Sequence, residues 1–420
     1  MTITESPQTA PTDPKATGDR YTVISADTHA GGSHKAYREY LDPEFRDDFD
    51  AWRGEYRNPY KDLGDNRRLR NWDNEMRNGQ QEEDGIAAEV IFPNTVPPFF
   101  PSFVLFAKPP TEEEYRHRRA GVHAHNRWLV DFCADFPERR AGVGQIFLNN
   151  VEDAMEDARW IKEHGLRGGL LLPNIAPDVK YVKPIYDPCY EPLWSLLEEL
   201  EIPVNVHSGS GNPDYGPYPV SMLLYINEVT FYTERPFVQM VLSGVFERHP
   251  RLKFIMTEAG CAWVPPLLAK LDKTIRGIRE TGATGEIRYG DDHILPKDAS
   301  EYFAQNCWMG VSQPSDADVE ARNLIGIEKF MWGSDYPHDE GTYPYTRENL
   351  RARFHDVPDA EIRQMLAGNA ARMYDFDLDA LAPLAARIGP RVAEVAEPID
   401  EIPNKSLERI SADMDARAIK

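Results

Sequence analysis

Asp27 and His29 stand two residues apart at the end of a short run, Val23-Ile24-Ser25-Ala26, that reads as an extended strand closed by Gly31-Gly32. Alternate residues of a strand point to one face, so a carboxylate oxygen and an imidazole nitrogen can converge on a single point there. Such a pair is half of a site for a divalent metal ion. A capping aspartate beside a solvated histidine has the same appearance, so the other half must come from elsewhere in the chain. His207, Glu258 and Asp335 each stand at the end of an apolar run, and His338 follows Asp335 by three residues. Singly, His207 reads as a loop donor and Glu258 and Asp335 as helix caps. Together, two histidines and two carboxylates at strand ends suit a transition metal such as Zn²⁺, with Mn²⁺ or Fe²⁺ also accommodated and a position left for water.

The elements that would carry these residues alternate along the chain. Strand patterns fall at Val23–His29, Ala88–Pro93, Gly142–Leu148, Gly169–Pro173, Pro203–His207, Leu252–Glu258, Phe303–Met309 and Lys329–Gly333. Helical patterns separate them. One starts at Thr111 with Glu112 to Glu114 in its first turn, and one opens at Asn150-Val151 and ends at Gly165, a natural residue for a left-handed cap. Leu193, Leu196, Leu197 and Leu200 mark a third, and Ser315-Asp316-Ala317-Asp318 opens a later one in the manner of a capping box. Apolar strands each followed by a helix predict a (β/α)₈ TIM barrel, because parallel strands need crossovers and are covered on both faces. All eight strand ends of such a barrel open on one face, where residues remote in sequence meet. No Gly-x-Gly-x-x-Gly follows an early strand, which argues against a dinucleotide-binding domain.

The 420 residues include 41% hydrophobic and 11% aromatic side chains, enough for a packed core, and no apolar run is long enough to cross a membrane. Lys and Arg number 47 against 69 Asp and Glu, a formal charge of -22, which disfavours nucleic acid and anionic membranes as partners. Residues 1–20 are polar, lack the apolar core of a signal peptide and read as a disordered arm; a cytoplasmic protein is expected. Cys133, Cys189, Cys261 and Cys307 form no Cys-x-x-Cys and read as reduced thiols. The segment from about residue 33 to 84 sets Trp52, Tyr56, Tyr60 and Trp72 among Arg53, Arg57, Arg67, Arg68 and Arg70 and is expected to fold over the barrel mouth as a lid. The barrel unit is thus 21–376. The extension 377–420 carries Leu378, Leu381, Leu384, Ile388, Val392 and Val395, then Ile399, Ile402 and Leu407, and this apolar set predicts a homodimer or larger homo-oligomer.

With Asp27-x-His29, the His207 strand end, His249-Pro250-Arg251-Leu252-Lys253-Phe254 leading to Glu258, Gly333-Ser334-Asp335-Tyr336-Pro337-His338, and Gly368-Asn369-Ala370-Ala371-Arg372, the chain resembles the amidohydrolase superfamily. The similarity is to its amidohydrolase-related branch, which includes aminocarboxymuconate-semialdehyde decarboxylase and the resorcylate decarboxylases. The resemblance implies that Asp27, His29, His207 and Asp335 hold one metal ion. Members with two metals commonly bridge them with a lysine ending strand four, where this chain has Leu172-Pro173-Asn174, so a mononuclear site is expected. The first pair is Asp-x-His where many relatives have His-x-His or Glu-x-His. After strand six the related decarboxylases have histidine, whereas this chain has Glu258. A glutamate beside a metal-bound water is a general base, so a hydrolase of a small organic substrate is preferred, with non-oxidative decarboxylation as the alternative. Glu258, Asp335 and His338 are the expected catalytic residues. Asn306, Trp308, Trp52 and Trp72 are candidates to line a pocket, without assigned roles.

Overall fold

The computed structural model describes residues 18–57, 68–291 and 294–403; Tyr60 and Arg67 of the expected lid, most of the expected N-terminal arm, and Leu407 lie outside the described residues. Eight parallel strands form the centre: β1 (Ile24–Ala30), β2 (Ala88–Pro93), β3 (Arg140–Gln145), β4 (Gly169–Leu171), β5 (Val204–His207), β6 (Phe254–Thr257), β7 (Cys307–Ser312) and β8 (Phe330–Gly333). They hydrogen-bond in sequence order from β1 to β8. The first and last strands meet at a seam, where the Asp335 amide donates to the Asp27 carbonyl (2.9 Å) and Thr28 bridges Tyr336. Ser25 Oγ lies 2.9 Å from Ser334 Oγ across it. This is the (β/α)₈ TIM barrel that the alternation predicts.

Alternate strand residues Ile24, Ala26, Ala88, Val90, Ala141 and Val143 pack inside the barrel with Ile255 and Met331, and Ala370, Met373 and Tyr374 join them. Tyr374 Oη donates to Asn205 Oδ1 (2.9 Å), and Asn369 Nδ2 donates to the Phe330 carbonyl at the start of β8, so the 369–376 segment closes the end where strands begin. The outer strand faces bury against helices that include α4 (Glu112–Ala134) and α5 (Val151–Glu163), along with α6 (Glu191–Glu199). The local signals hold: Thr111 and Glu114 form a capping box, Asn150 caps α5, and Gly165 follows it with φ +73°.

Between β1 and β2 the chain forms α1 (His34–Tyr40), α2 (Arg46–Glu55) and α3 (Asn74–Glu83). Leu41, Phe45 and Phe49 seat this segment on Ala120 and Ala124 of α4. Arg77 of α3 is fully buried and binds Glu89 of β2 through Nε (3.0 Å), while its Nη1 donates to the carbonyl of His29 (2.8 Å). The insertion is therefore tied directly to the strand that carries the Asp-x-His pair.

Three expectations need correction. The seventh strand starts at Cys307, not Phe303, because Asp298 and Glu301 form a capping box that makes Ala299–Asn306 a helix. Asn306 and Trp308 accordingly lie where β7 begins, away from the mouth: Asn306 Nδ2 donates to the carbonyls of His249 and Leu252, and Lys329 sits over the Trp308 ring. In the extension, Leu381, Ile388 and Val395 are buried within their own chain, so they do not call for a second subunit. Finally, the last residues of the expected arm are pinned to that extension: the Val392 amide donates to the Asp19 carbonyl (2.8 Å), and Arg20 bridges Arg391.

Candidate active site

β1 carries a register shift between Ser25 and Thr28, a bulge centred on the residues just before His29. A bulge re-aims the side chains that follow it, and here it leaves both Asp27 and His29 fully buried at the mouth. β8 passes so close that a Cβ on Gly333 would stand 2.8 Å from the Cβ of Asp27, so only glycine fits there. Glu258 directly follows β6 and Asp335 lies two residues beyond β8, and both adopt left-handed backbone, at φ +62° and +57°. That conformation costs a non-glycine residue about 1–2 kcal/mol and is typical of chain held for function.

These turns bring the expected residues together. His29 Nε2 lies 3.2 Å from Asp335 Oδ1 and 3.4 Å from Asp27 Oδ1, and His207 Nε2 is 3.3 Å from Asp27 Oδ1. Ligand atoms about 2.1 Å from one metal ion are roughly 3.0–3.4 Å apart in octahedral or tetrahedral geometry, the same spacing. The remaining ring nitrogens are engaged elsewhere: His207 Nδ1 faces the Ser208 carbonyl at 2.9 Å and His29 Nδ1 the Pro93 carbonyl at 3.3 Å. Donation there leaves each Nε2 lone pair directed at the cluster, as a ligating histidine requires. His29 Nε2 and Asp335 Oδ1 are buried without a well-formed hydrogen bond, which fits a cation between them. Asp27, His29 and His207 bring one donor atom each within 4.8 Å of one another, and His29, Asp335 and His338 do the same beside them, a donor chemistry that suits a divalent metal ion. Strand four supplies no lysine, and Asn174 beyond it donates to the Tyr232 carbonyl (2.6 Å).

Glu258 and His338 differ from those four in being partly open. Their side chains are 23% and 25% exposed, against 0% for Asp27, His29, His207 and Asp335, so these two can meet a substrate. Glu258 Oε2 lies 3.3 Å from His207 Nδ1, and His338 Nδ1 lies 2.7 Å from Asp335 Oδ1. Burial and then the charge of Asp335 push Glu258 up to about 8. Burial works to lower both His207 and His338, but carboxylates outweigh it: Glu258 and Asp27 raise His207 to about 9, and Asp335 raises His338 to about 10. Burial lowers His29 to about 4, keeping it neutral. Asp335 is held well below the usual carboxylate range; burial opposes this, and His338 and His29 overcome it.

Several partners were not singled out from sequence. Asn94, just beyond β2, accepts from His338 Nε2 (3.0 Å) and donates to Asn71 of the insertion (2.6 Å). Ser312 ends β7 and hydrogen-bonds Asp27 Oδ2, while Gln313 donates to Asp335 Oδ2 (3.0 Å). Their position at strand ends was the available signal, and for β7 it was lost with the misplaced strand. A cleft of about 680 Å³ opens beside Asn94, walled by Lys35, Arg53, Arg57 and Arg68 with Tyr56 and Trp72.

The sequence profile described as Amidohydrolase matches residues 48–376. The chain belongs to the amidohydrolase family. The match starts beyond β1, and the fold sets Asp27 and His29 of that strand beside His207 at the end of β5. A gamma-resorcylate decarboxylase from Rhodococcus jostii (strain RHA1) is 23% identical over 265 residues, 60% of this chain and 75% of that one. The 2-amino-3-carboxymuconate-6-semialdehyde decarboxylase of Dictyostelium discoideum is 22% identical over 309 residues, 73% of this chain and 77% of the relative. Among solved structures, 5-carboxyvanillate decarboxylase from Sphingomonas paucimobilis superposes with a TM-score of 0.63 at 21% identity, covering 85% of this chain and all of that one. A dihydroxybenzoic acid decarboxylase from Polaromonas sp. JS666, with bound manganese, gives 0.57 at 17% identity over 84% of this chain and 97% of its own. The amidohydrolase described here is accordingly an enzyme of this superfamily, and among its described residues no helix is long and apolar enough to cross a membrane.

Proposed function

We propose that this amidohydrolase is a metal-dependent, non-oxidative decarboxylase of a small aromatic carboxylate. The observation that carries the reading is the cleft beside Asn94 and His338, where the cations Lys35, Arg53, Arg57 and Arg68 stand with Tyr56 and Trp72. Arg53 has no carboxylate partner among the described residues. An aromatic ring bearing negative charge satisfies both features of that wall, aromatic contact and charge, whereas a neutral amide or ester uses only the first. The relatives and the structural neighbours, named for aromatic acids or a carboxymuconate semialdehyde, support the same reaction class.

Asp27, His29, His207 and Asp335 would hold one divalent ion, with manganese tested beside zinc because neighbouring structures contain it. When bound, the ion supplies charge stabilisation to oxygens of the substrate. The arginines draw in and orient the carboxylate. The bond between ring carbon and carboxylate breaks, its electron pair stays on the ring carbon, and that carbon takes a proton from Glu258 or His338 as CO₂ leaves. The donor recovers its proton from solvent through its open side. Each step moves one proton and one electron pair, with no oxidant or reductant.

Hydrolysis is the competing reading, and Glu258 beside the metal cluster is the observation that favours it. The two separate in one experiment with the metal-loaded protein and a panel of hydroxybenzoic acids. Decarboxylation releases CO₂ and places solvent deuterium on the ring carbon. If no acid loses CO₂ while an ester or amide takes ¹⁸O from labelled water into its product acid, the decarboxylase reading is wrong.

A further inference from the structure

Asn94 stands between the site and the insertion, and its side chain touches both. Its Oδ1 lies 3.0 Å from His338 Nε2, and its Nδ2 donates to Asn71 Oδ1 (2.6 Å). Asn71 Nδ2 in turn donates to the backbone carbonyl of Arg68 (3.1 Å). Asn71 is buried, so water has little access to its amide. A carboxamide can be turned end for end, and an imidazole nitrogen can give or accept a hydrogen bond, so these three groups in a row can in principle carry either polarity. The backbone carbonyl at the end decides, because it only accepts. The Asn71 nitrogen must face Arg68 and its oxygen must face Asn94, which then offers nitrogen to Asn71 and oxygen to His338. His338 Nε2 is thereby required to donate. Turning either asparagine sets donor against donor or acceptor against acceptor and leaves polar groups unfilled.

Both ends of this chain of bonds are held. The carbonyl that sets the polarity belongs to the insertion, and the turn that carries it is fastened to β1: Arg77 Nη1 donates to the carbonyls of both His29 (2.8 Å) and Arg70 (3.0 Å), and the Gly31 amide donates to the Asn71 carbonyl (3.3 Å). The backbone amide of Asn94 donates to the Ala30 carbonyl (2.9 Å). At the other end, the His338 ring lies on the His29 ring with centroids 4.0 Å apart, and its Nδ1 is 2.7 Å from Asp335 Oδ1. Stacking fixes the plane of the ring. The two amides fix that Nε2 bears hydrogen where it meets Asn94, a residue of the cleft wall.

We propose that Asn71 and Asn94 are positioning residues, a two-amide relay through which the turn at 68–71 of the insertion holds the His338 ring with Nε2–H toward Asn94. So held, His338 presents a hydrogen rather than a lone pair at Nε2, the form that gives a proton rather than takes one. The insertion is then more than a wall of the cleft: its backbone is the fixed reference for an imidazole of the site. The effect on turnover rests on the decarboxylase reading, whereas the relay itself does not.

The test uses the full-length, zinc-loaded protein. Asn71→Leu and Asn94→Leu remove the relay, whereas Asn71→Asp and Asn94→Asp keep an acceptor where the relay needs one, since a carboxylate only accepts. Proton–nitrogen spectra of histidine-labelled protein, with the signal assigned by its loss in His338→Gln, show a directly bonded Nε2 proton in the wild type and in both aspartate variants, and that proton is lost to solvent exchange in the leucine variants. With an acid that the wild type decarboxylates, the leucine variants lower kcat on the order of ten- to a hundred-fold while KM stays within about three-fold and metal content is unchanged; the aspartate variants return to within about five-fold of wild type. The proposal is overturned if the leucine variants keep kcat, if they change KM or metal content alone, or if aspartate does not rescue them, since a merely structural role gives those results. Should a leucine variant not fold, the wild-type spectrum decides, because a His338 Nε2 without a bonded proton overturns the proposal and one with it supports it. Failure of the decarboxylase reading looks different: the wild type releases CO₂ from no acid, yet the Nε2 proton still depends on Asn71 and Asn94.

Discussion

Arg77 is the clearest place to test how the inserted helices support the site. It is fully buried and spends its guanidinium on Glu89, on Thr28 Oγ1 (3.2 Å) and on the carbonyls of His29 and Arg70. Burial alone would raise Glu89, but Arg77 and then Arg140 hold it down to about 2. The folded-state value thus lies below the ordinary carboxylate value of 4.5. This stabilisation is fully present above pH about 4.5 and is lost as pH falls through that value toward about 2. A shift of this size corresponds to about 3 kcal/mol. Arg77→Met keeps the stem and removes the charge, leaving Glu89 with Gln81 Nε2 (2.8 Å), Thr28 Oγ1 (2.8 Å) and a more distant Arg140 (3.4 Å). Removing one partner of a buried pair costs about 3–5 kcal/mol, a large share of the stability of most domains. The assay is urea unfolding of wild type and variant at pH 7, 4.5 and 3. The variant is expected to lose about 3–5 kcal/mol at pH 7 and to show a flatter decline below pH 4.5, because its Glu89 takes up a proton earlier. Because Arg77 also holds the His29 carbonyl, metal affinity should fall as well. A difference under about 1 kcal/mol at pH 7, with the same acid slope in both proteins, would refute the reasoning.

Other outcomes follow from the site. Elemental analysis should find about one transition-metal equivalent per chain. His207→Ala should lose most of it while far-ultraviolet circular dichroism stays unchanged, because the barrel core does not include the imidazole; a value near two metals, or retention in the variant, contradicts the four-residue site. Glu258→Gln should keep the metal within a factor of about two yet lower kcat by about 10²–10⁴-fold, the range for a positioned proton donor or acceptor. Near-normal turnover would remove Glu258 from the chemistry. Self-association is expected through the helix Ser221–Leu242, whose Met222, Leu223, Ile226 and Phe231 are 59%, 62%, 61% and 56% exposed. Light scattering should give more than one chain for the wild type and a single chain for Leu223→Glu with Ile226→Glu; a monomeric wild type negates it.

The barrel and the core of its site were legible in the order of residues, and the reason is local. Parallel strands buried on both faces leave continuous apolar runs, and caps such as Thr111 with Glu114, or Gly165 after α5, mark helix ends through backbone chemistry that depends on near neighbours. In a barrel, standing at a strand's end is enough to place a residue at the mouth, so Asp27, His29, His207, Glu258 and Asp335 could be grouped before any distance was measured. What depended on contacts between remote segments was not legible. The capping box at Asp298 moved β7 by four residues, exchanging Asn306 and Trp308 for Ser312 and Gln313 at the mouth. The apolar extension reads in sequence as a surface seeking a partner, but the fold buries its Leu381, Ile388 and Val395 within the same chain. Arg118 is one charged residue among many on a helix, and only packing takes its guanidinium out of water, against two phenylalanines. Burial is a property of the whole fold, which no single position in the sequence displays.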